Sequence, residues 1–273
     1  MPLFSKRRTL APIVEYVNMS LGMDIQHPGF LIDTPLSLGA SDVHLWRVDL
    51  EAVANEEAQW SSILSPEEHD RAVRFHFQEH RQYFTATRAI LRRVLASYLD
   101  CDARDLTFVF SSKNKPSLGG AHANNGLSFN ISHSGHIAVL AFTRNRQVGV
   151  DVEQVRSDFD TNAIAARFFS TVEQEQLASL PVEQRHDAFF RCWTRKEAYI
   201  KATGEGLSLP LRQFDVCIAP GSQDALLATR PEPMEVRRWS LRDVSVRPGY
   251  AAALCISGTD WNLIDWSTKD QPV

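Results

Sequence analysis

A glutamate, Glu197, falls among aromatic and aliphatic residues in the second half of the chain. Three apolar residues share with it one stripe of a helix drawn at about 100° per residue: Phe190, Trp193 and Ile200. A carboxylate on such a core-facing row is costly unless a cation or strong donors meet it, and Lys201, at i+4, supplies part of that compensation. Two interpretations are open: a buried Glu197–Lys201 ion pair that serves the fold, or a carboxylate that takes part in chemistry.

A second acidic site lies upstream, in residues 147–153, where the run QVGVDVE alternates like a strand. Its valines fall on one face, and Asp151 and Glu153 project side by side from the other. Such an arrangement is also common on exposed acidic strands. Carboxylates this close repel each other unless a cation lies between them, and oxygen ligands without Cys or His suit Mg²⁺, or Mn²⁺, better than zinc. Together with Glu197 and Lys201, they favour Mg²⁺-assisted chemistry on a phosphate ester or anhydride.

Four motifs, taken together and in order, resemble the Sfp-type 4′-phosphopantetheinyl transferases. They are FNISHS at 129–134, GVDVE at 149–153, RFFS with Glu173 at 167–173, and WxxKEAYxKxxGxGL at 193–207. The resemblance covers roughly residues 42–258, and GVDVE and the last motif are its most specific parts. It implies an α+β fold in which two similar α/β subdomains are related by a pseudo-twofold within one chain.

The same resemblance implies an activity. The enzyme would transfer the 4′-phosphopantetheine moiety of coenzyme A to a serine of an apo acyl or peptidyl carrier protein, releasing adenosine 3′,5′-bisphosphate. Asp151, Glu153 and Glu197 would hold Mg²⁺ against the diphosphate, and Glu197 would also accept the serine proton, directly or through water. Lys201 and His133 would stabilise the diphosphate, and Lys201 would protonate the leaving phosphate.

Coenzyme A binding is expected from seven residues: Arg71, Arg88, Lys115, Ser132, His133, Lys196 and Lys201. Arginines on such helices usually form a solvated face, but Arg88 lies in TRAILR, which is similar to the phosphate-binding helix of the family. The chain departs from the family pattern at two positions. Glu68 follows Ser-Pro-Glu where relatives can carry a lysine, and Asn114 replaces the glycine of a G-K-P segment.

Two helix-start signals indicate an internal duplication. The runs SPEE at 65–68 and STVE at 170–173 each combine a serine N-cap with an acid three residues later, and a long helix follows each at a similar spacing. We therefore expect two α/β units with a site between them. The boundaries expected are an N-terminal extension over 1–40, a first subdomain with the coenzyme A contacts over 41–144, and a second subdomain with the carboxylates and the catalytic helix over 145–265. Strands are expected at 43–50, 106–110, 214–218, 235–239 and 250–255.

Composition limits the class of protein. The 273 residues are 44% hydrophobic and 23% charged with a net charge of −4, which argues against a nucleic-acid binder. Four scattered cysteines without C-x-x-C spacing predict buried free thiols in a reducing compartment, and the N-terminal segment has no continuous apolar run. A cytoplasmic protein that does not bind a membrane is expected. Because two halves in one chain mimic a dimer, we also expect a monomer.

Two other classes of function use some of the same residues. A non-catalytic module that binds coenzyme A or a carrier protein would keep the basic residues but could lose the acids, which are all present here. A Mg²⁺-dependent diphosphate hydrolase would use the same ion with water as the nucleophile. Modification of a carrier protein, as opposed to simple cleavage of coenzyme A, separates the transferase from the hydrolase.

Overall fold

The computed structural model describes residues 35–53, 56–158, 160–230 and 232–267. Most of the expected N-terminal extension, residues 1–34, therefore lies outside the described residues. In the first half the elements are β1 (Asp42–Asp49), α1 (Leu50–Val53), α2 (Glu57–Ser61), α3 (Pro66–Ala72), α4 (Gln78–Leu99), β2 (Phe108–Phe110), β3 (Pro116–Leu118), β4 (Leu127–Ser134) and β5 (Ile137–Arg144).

The second half carries a similar series and one additional strand. Its elements are β6 (Val148–Gln154), α5 (Thr161–Phe168), α6 (Thr171–Ser179), α7 (Val182–Thr203), β7 (Phe214–Val216), β8 (Leu226–Thr229), β9 (Trp239–Asp243), β10 (Tyr250–Ser257) and β11 (Asn262–Ser267). The strand expected at 235–239 is wrong, because Pro233–Arg238 forms a 3₁₀ helix and the strand begins only at Trp239.

The sheets show the duplication directly. The first has the strand order β11-β1-β5-β4 and the second has the order β6-β10-β9. Within each half, the first strand pairs antiparallel with the last, which pairs antiparallel with the strand before it. Each half also has a two-stranded ribbon, β2-β3 or β7-β8. The expected α+β fold of two similar subdomains is confirmed.

The additional strand, β11, crosses back to the first half. It pairs in parallel with β1, with Asp42 opposite Asn262 and Arg47 opposite Ser267. The boundary expected at 265 is therefore misplaced, since the last strand of the chain completes the sheet of the first subdomain. Parallel pairing at such a sequence separation leaves no local signal in the sequence.

Apolar clusters set the layers of the fold. One cluster packs α4 on the first sheet, and another packs α7 on the second sheet. A third cluster lies between the two sheets and combines residues of both: Val43, Leu45, Val139, Val148, Val150 and Leu254. The valines of β6 therefore face the other sheet, and the opposite face of β6 is turned to α7. This confirms the expected alternation of β6.

Both helix-start signals form complete capping boxes. The Ser65 hydroxyl accepts from the Glu68 amide while the Glu68 carboxylate accepts from the Ser65 amide, and Ser170 and Glu173 repeat this arrangement. Each box satisfies two amides that the helix cannot. The capping acids are also buried, so each needs a cation nearby.

Two further observations concern the described residues as a whole. Its four cysteines are free, as expected, although only Cys192 and Cys255 are buried while Cys101 and Cys217 are partly exposed. Within the described residues, no helix is both long enough and apolar enough to cross a membrane.

Candidate active site

Close contact between β6 and α7 brings the acidic strand and the acidic helix together. At Gly149 a Cβ atom would overlap the carbonyl oxygen of Ala198 and the amide nitrogen of Ala202, and it would lie 2.8 Å from the Ala202 Cα. Only glycine permits this approach, because the obstacles are backbone atoms of α7, which cannot rotate away. The approach places Glu197 and Lys201 beside Asp151.

Lys201 forms its hydrogen bonds with residues of β4 and β6 and not with Glu197 of its own helix. Its Nζ donates to Asp151 Oδ1 at 2.6 Å, to Ser132 Oγ at 3.0 Å and to the Val150 carbonyl at 3.3 Å. The buried Glu197–Lys201 pair that the helical spacing allowed is therefore wrong; the ion pair joins Asp151 and Lys201. Glu197 thus lacks the partner that would have made it purely structural.

Asp151 is a buried carboxylate with one oxygen unused. Its side chain is 5% exposed, and burial, opposed by Lys201 and Ser132, raises its pKa. Oδ1 accepts from both Lys201 and Ser132, whereas Oδ2 is buried without a hydrogen-bonding partner. A buried acceptor without a partner is costly, so this oxygen points to a ligand.

Glu197 and Glu153 form an acidic group with Asp151, because both lie within electrostatic reach of its carboxylate. Burial, and then the negative charge of Asp151, raises the pKa of Glu197 to about 7, with a further contribution from Glu153 and an opposing one from Lys201. Burial also raises the pKa of Glu153, which the Ser134 hydroxyl lowers by donating to Oε2 at 2.7 Å. Each carboxylate therefore disfavours ionisation of the others.

The chemistry of these side chains suits a hard divalent cation. Among the described residues, no three Asp, Glu, His or Cys side chains are arranged to hold an ion as they stand. Three observations nevertheless favour one: the donor set is entirely oxygen, the carboxylates repel one another, and Asp151 Oδ2 lacks a partner. A cation would relieve all of these costs at once.

Several basic groups lie near His133. His133 is exposed at the end of β4, yet partial desolvation, followed by the charges of Lys201, His80 and Arg71, lowers its pKa. Lys201, His80 and Arg71 therefore each lie within electrostatic reach of His133. The structure brings the predicted His133, Lys201 and Arg71 into one basic region.

A cavity of about 1000 Å³ opens in the first subdomain. Four arginines and several aromatic rings line it: Arg71, Arg74, Arg88, Arg92, Phe75, Phe84, Phe108 and Phe110. The Arg71 guanidinium lies 5.2 Å from the centre of the Phe84 ring, and that of Arg88 lies 4.8 Å from the centre of the Phe108 ring. Stacked guanidinium groups beside aromatic walls suit a phosphorylated, planar ligand.

Glu68 holds the inner pair of these arginines. Its Oε1 accepts from Arg88 Nε at 2.7 Å and its Oε2 accepts from Arg92 Nε at 2.6 Å. The acid that departs from the family pattern is therefore an internal counterion of Arg88 and Arg92. Because one carboxylate balances two guanidinium groups, the arginine pair keeps a net positive charge.

Two predicted coenzyme A ligands are engaged within the protein. The Lys115 Nζ donates to the carbonyl of Val148 at 3.2 Å and to that of Ala202 at 2.9 Å, and burial lowers its pKa to about 8. It ties the β2-β3 ribbon to the end of α7. Ser132, also predicted to bind coenzyme A, donates its hydroxyl proton to Asp151.

The prediction that Lys196 binds coenzyme A is contradicted by its position. Its side chain has no solvent exposure, and its ammonium lies 2.8 Å from Glu173 Oε1 and donates to the carbonyls of Leu211 and Phe214. All of its hydrogen-bonding capacity is used inside the second subdomain. Lys196 is therefore a structural residue, one position away from the catalytic candidate Glu197.

Sequence reasoning missed the role of the β4 side chains. Ser134 is part of the FNISHS motif, but the motif does not identify a hydrogen-bond partner for its hydroxyl. Asn130 lies in the same motif and was given no role. The available signal was the shared period of two: alternate residues of β4 face the carboxylates that alternate on β6. To use this signal one must know that the two strands lie side by side at the edges of different sheets, which the sequence does not state.

Comparison with known proteins matches both halves. Residues 51–145 match the family model "4′-phosphopantetheinyl transferase, N-terminal", and residues 147–255 match "4′-phosphopantetheinyl transferase superfamily". The chain is 39% identical to the 4′-phosphopantetheinyl transferase HetI of Nostoc, over 89% of this chain and 99% of that protein. It is 31% identical to the putative 4′-phosphopantetheinyl transferase slr0495 of Synechocystis, over 77% and 82%, and 30% identical to the 4′-phosphopantetheinyl transferase Sfp of Bacillus subtilis, over 76% and 88%.

Proposed function

Since the chain belongs to the 4′-phosphopantetheinyl transferase superfamily and transfers phosphopantetheine to carrier proteins, we propose that its donor is coenzyme A and its acceptor a serine of an apo acyl or peptidyl carrier protein. The products are the holo carrier protein and adenosine 3′,5′-bisphosphate, as in a holo-acyl-carrier-protein synthase. The serine oxygen forms a bond to the phosphorus that bears the pantetheine, and the diphosphate bond to the nucleotide breaks.

The observation that carries this proposal is the environment of Glu197. In the metal-free protein, burial and the charge of Asp151 raise the pKa of Glu197 to about 7, which gives this carboxylate the proton affinity of a general base. It accepts the proton of the attacking serine, directly or through water. Lys201 pairs with Asp151 and stabilises the leaving phosphate, which it also protonates.

Asp151, Glu153 and Glu197 hold Mg²⁺ in this proposal, and Mn²⁺ is an alternative ion. When bound, such an ion would neutralise the charge of the diphosphate. The partnerless Asp151 Oδ2 supports this assignment. Ser132 and Lys201 occupy the other oxygen of Asp151 and so fix the direction in which Oδ2 points.

The basic cavity of the first subdomain binds the nucleotide end of coenzyme A. Arg71 and Arg88 provide charge for its phosphates, and His133 lies within electrostatic reach of Arg71, which lines this cavity, and of Lys201. Lys115 supports this arrangement by donating to backbone carbonyls of β6 and α7. Its ammonium can contact the nucleotide only if it releases one of these carbonyls. We further propose a cytoplasmic monomer that binds neither nucleic acid nor membranes.

Intact-mass measurement tests the proposed function. A panel of apo carrier proteins is incubated with coenzyme A, Mg²⁺ and the full chain, and at least one is expected to gain the mass of a single phosphopantetheine. Cleavage of coenzyme A with every carrier protein unmodified would indicate a hydrolase instead. Binding of coenzyme A without either reaction would indicate a non-catalytic module.

A further inference from the structure

The two subdomains meet where two sheet edges lie side by side. β4 is the edge strand of the first sheet and β6 is the edge strand of the second, and they belong to different sheets. Side chains of alternate β4 residues bridge the gap. Asn130 Oδ1 accepts from the Val150 amide at 2.9 Å, and Ser134 Oγ accepts from the Gln154 amide at 3.1 Å. Polar side chains of β4 thus replace part of a backbone ladder.

The contact between β4 and β6 also includes two of the acidic residues. Ser132 and Ser134 lie two residues apart on β4, and Asp151 and Glu153 lie two residues apart on β6. Ser132 donates to Asp151 Oδ1 at 2.9 Å, and Ser134 donates to Glu153 Oε2 at 2.7 Å. Each hydroxyl therefore faces one carboxylate, because both strands project side chains with a period of two.

The bonds of Ser134 have a fixed direction. Since the Gln154 amide can only donate, the Ser134 oxygen accepts from it, and the hydroxyl proton is free to go to Glu153. A backbone amide thus orients the hydroxyl, and the hydroxyl orients the carboxylate. One oxygen of Glu153 is used in this way, which directs the rotation of the whole carboxylate.

We propose that Ser134 is a positioning residue, which acts through Glu153 to set the carboxylate for binding of a divalent cation. This inference rests on the proposed function, since it assigns Glu153 to the cation. Partners of metal-binding side chains commonly change metal affinity by about 10- to 100-fold when removed. The effect of Ser134 belongs to this class, although it comes from the subdomain that contributes none of the three carboxylates.

The test measures Mn²⁺ binding to the full chain by electron paramagnetic resonance, without coenzyme A or carrier protein. Ser134→Ala is expected to weaken Mn²⁺ binding by about tenfold or more, and Ser134→Thr, which keeps the hydroxyl, is expected to restore most of it. Ser128→Ala is the matched control, because Ser128 lies on the same face of β4 and faces Thr143 in the register of β5. The Mg²⁺ concentration that half-saturates transfer should rise in parallel for Ser134→Ala alone.

A double-mutant cycle separates positioning from general support of the fold. In a Glu153→Gln background, Ser134→Ala should cause no further loss of Mn²⁺ affinity, because the group through which it acts has already been changed. An undiminished loss in that background would overturn the proposal, as would normal Mn²⁺ affinity in folded Ser134→Ala. If Ser134→Ala does not fold, Ser134→Cys, a weaker donor of similar size, is compared with Ser134→Thr, and equal affinities overturn the proposal. Failure of the unmodified chain to transfer phosphopantetheine would instead count against the proposed function.

Discussion

Arg92 and Lys196 occupy equivalent positions in the two subdomains. Each lies on the long helix of its half, at the same distance from the helix end at Leu99 or Thr203. Arg92 pairs with Glu68 and Lys196 with Glu173, the buried acids of the two capping boxes. Each cation also donates to two carbonyl oxygens of the segment that follows its helix and lies over an aromatic ring, Phe108 or Phe214.

This equivalence separates structural cations from functional ones. A contact that is present in both halves stabilises the fold, because the fold is what the two halves have in common. Arg88 has no cationic counterpart, because the corresponding position of α7 is occupied by Cys192. Arg88 and Arg92 both line the cavity, and of the two only Arg88 is additional to the contacts that the halves share, so we propose Arg88 in preference to Arg92 for the phosphate contact.

The first prediction tests the structural role of Lys196. Lys196→Met leaves the Glu173 carboxylate buried without its cation, so the free energy of unfolding should fall by about 3–5 kcal/mol. The affinity of the folded fraction for coenzyme A should not change. Urea denaturation and isothermal titration of coenzyme A measure the two quantities, with Lys113→Met, at an exposed lysine, as the control. A normal stability combined with weakened coenzyme A binding would restore the original expectation for Lys196.

Local patterns predicted much of the fold but not the partners of the charged residues. The alternation of GVDVE placed Asp151 and Glu153 on one face of β6, and the serine caps located α3 and α6, because these depend on neighbours within a few residues. Helical spacing identified only Glu197 as a partner for Lys201, because spacing along one helix gives no information about a strand that packs against that helix. The same limitation explains Lys196, whose buried partner lies on another helix.

The second prediction concerns the approach of β6 to α7. Gly149→Ala places a methyl group against the backbone of α7 near Ala198 and Ala202, so the helix must move away from the strand. Because this shift carries Glu197 and Lys201 away from Asp151, transfer should fall by at least about tenfold, since small displacements at a reaction centre are costly. The free energy of unfolding should fall by about 1–3 kcal/mol, as in other overpacked sites. An unchanged kcat/KM and an unchanged denaturation midpoint would show that α7 accommodates the methyl group without moving, and would contradict this prediction.

The third prediction concerns the metal. EDTA should abolish transfer, and Mg²⁺ or Mn²⁺ should restore it, because the carboxylates form an oxygen-only donor set. Asp151→Ala should lower kcat/KM by at least about a hundredfold, since it removes the buried oxygen and the partner of Lys201. Asp224→Ala, at an exposed site, is the control. Full activity of Asp151→Ala would contradict the metal assignment.

The fourth prediction follows from the raised pKa of Glu197. Its folded-state pKa of about 7 lies above the ordinary value of 4.5, so folding favours the protonated form. The associated loss of stability is absent below pH 4.5, grows as the pH rises towards 7 and is constant above it. It amounts to at most about 3 kcal/mol for a shift of this size. Urea denaturation in EDTA should therefore show stability falling from pH 5 to 7, and Glu197→Gln should flatten this dependence; an equally steep fall in the variant would contradict it.

The last prediction separates the chemical role of Glu197 from any role in the fold. Because Lys201 is paired with Asp151, Glu197→Gln leaves no ammonium without a partner and removes repulsion from Asp151 and Glu153. The metal-free melting temperature at pH 8 should therefore hold steady or rise. Transfer to the carrier serine should fall by orders of magnitude, because glutamine cannot accept the proton. Coenzyme A should still bind, since Arg71, Arg88 and His133 are unchanged. Melting without metal, titration of coenzyme A and single-turnover transfer are measured on the same preparation. A large fall in melting temperature would assign Glu197 to the fold, and near-normal turnover in the folded variant would remove it from the chemistry.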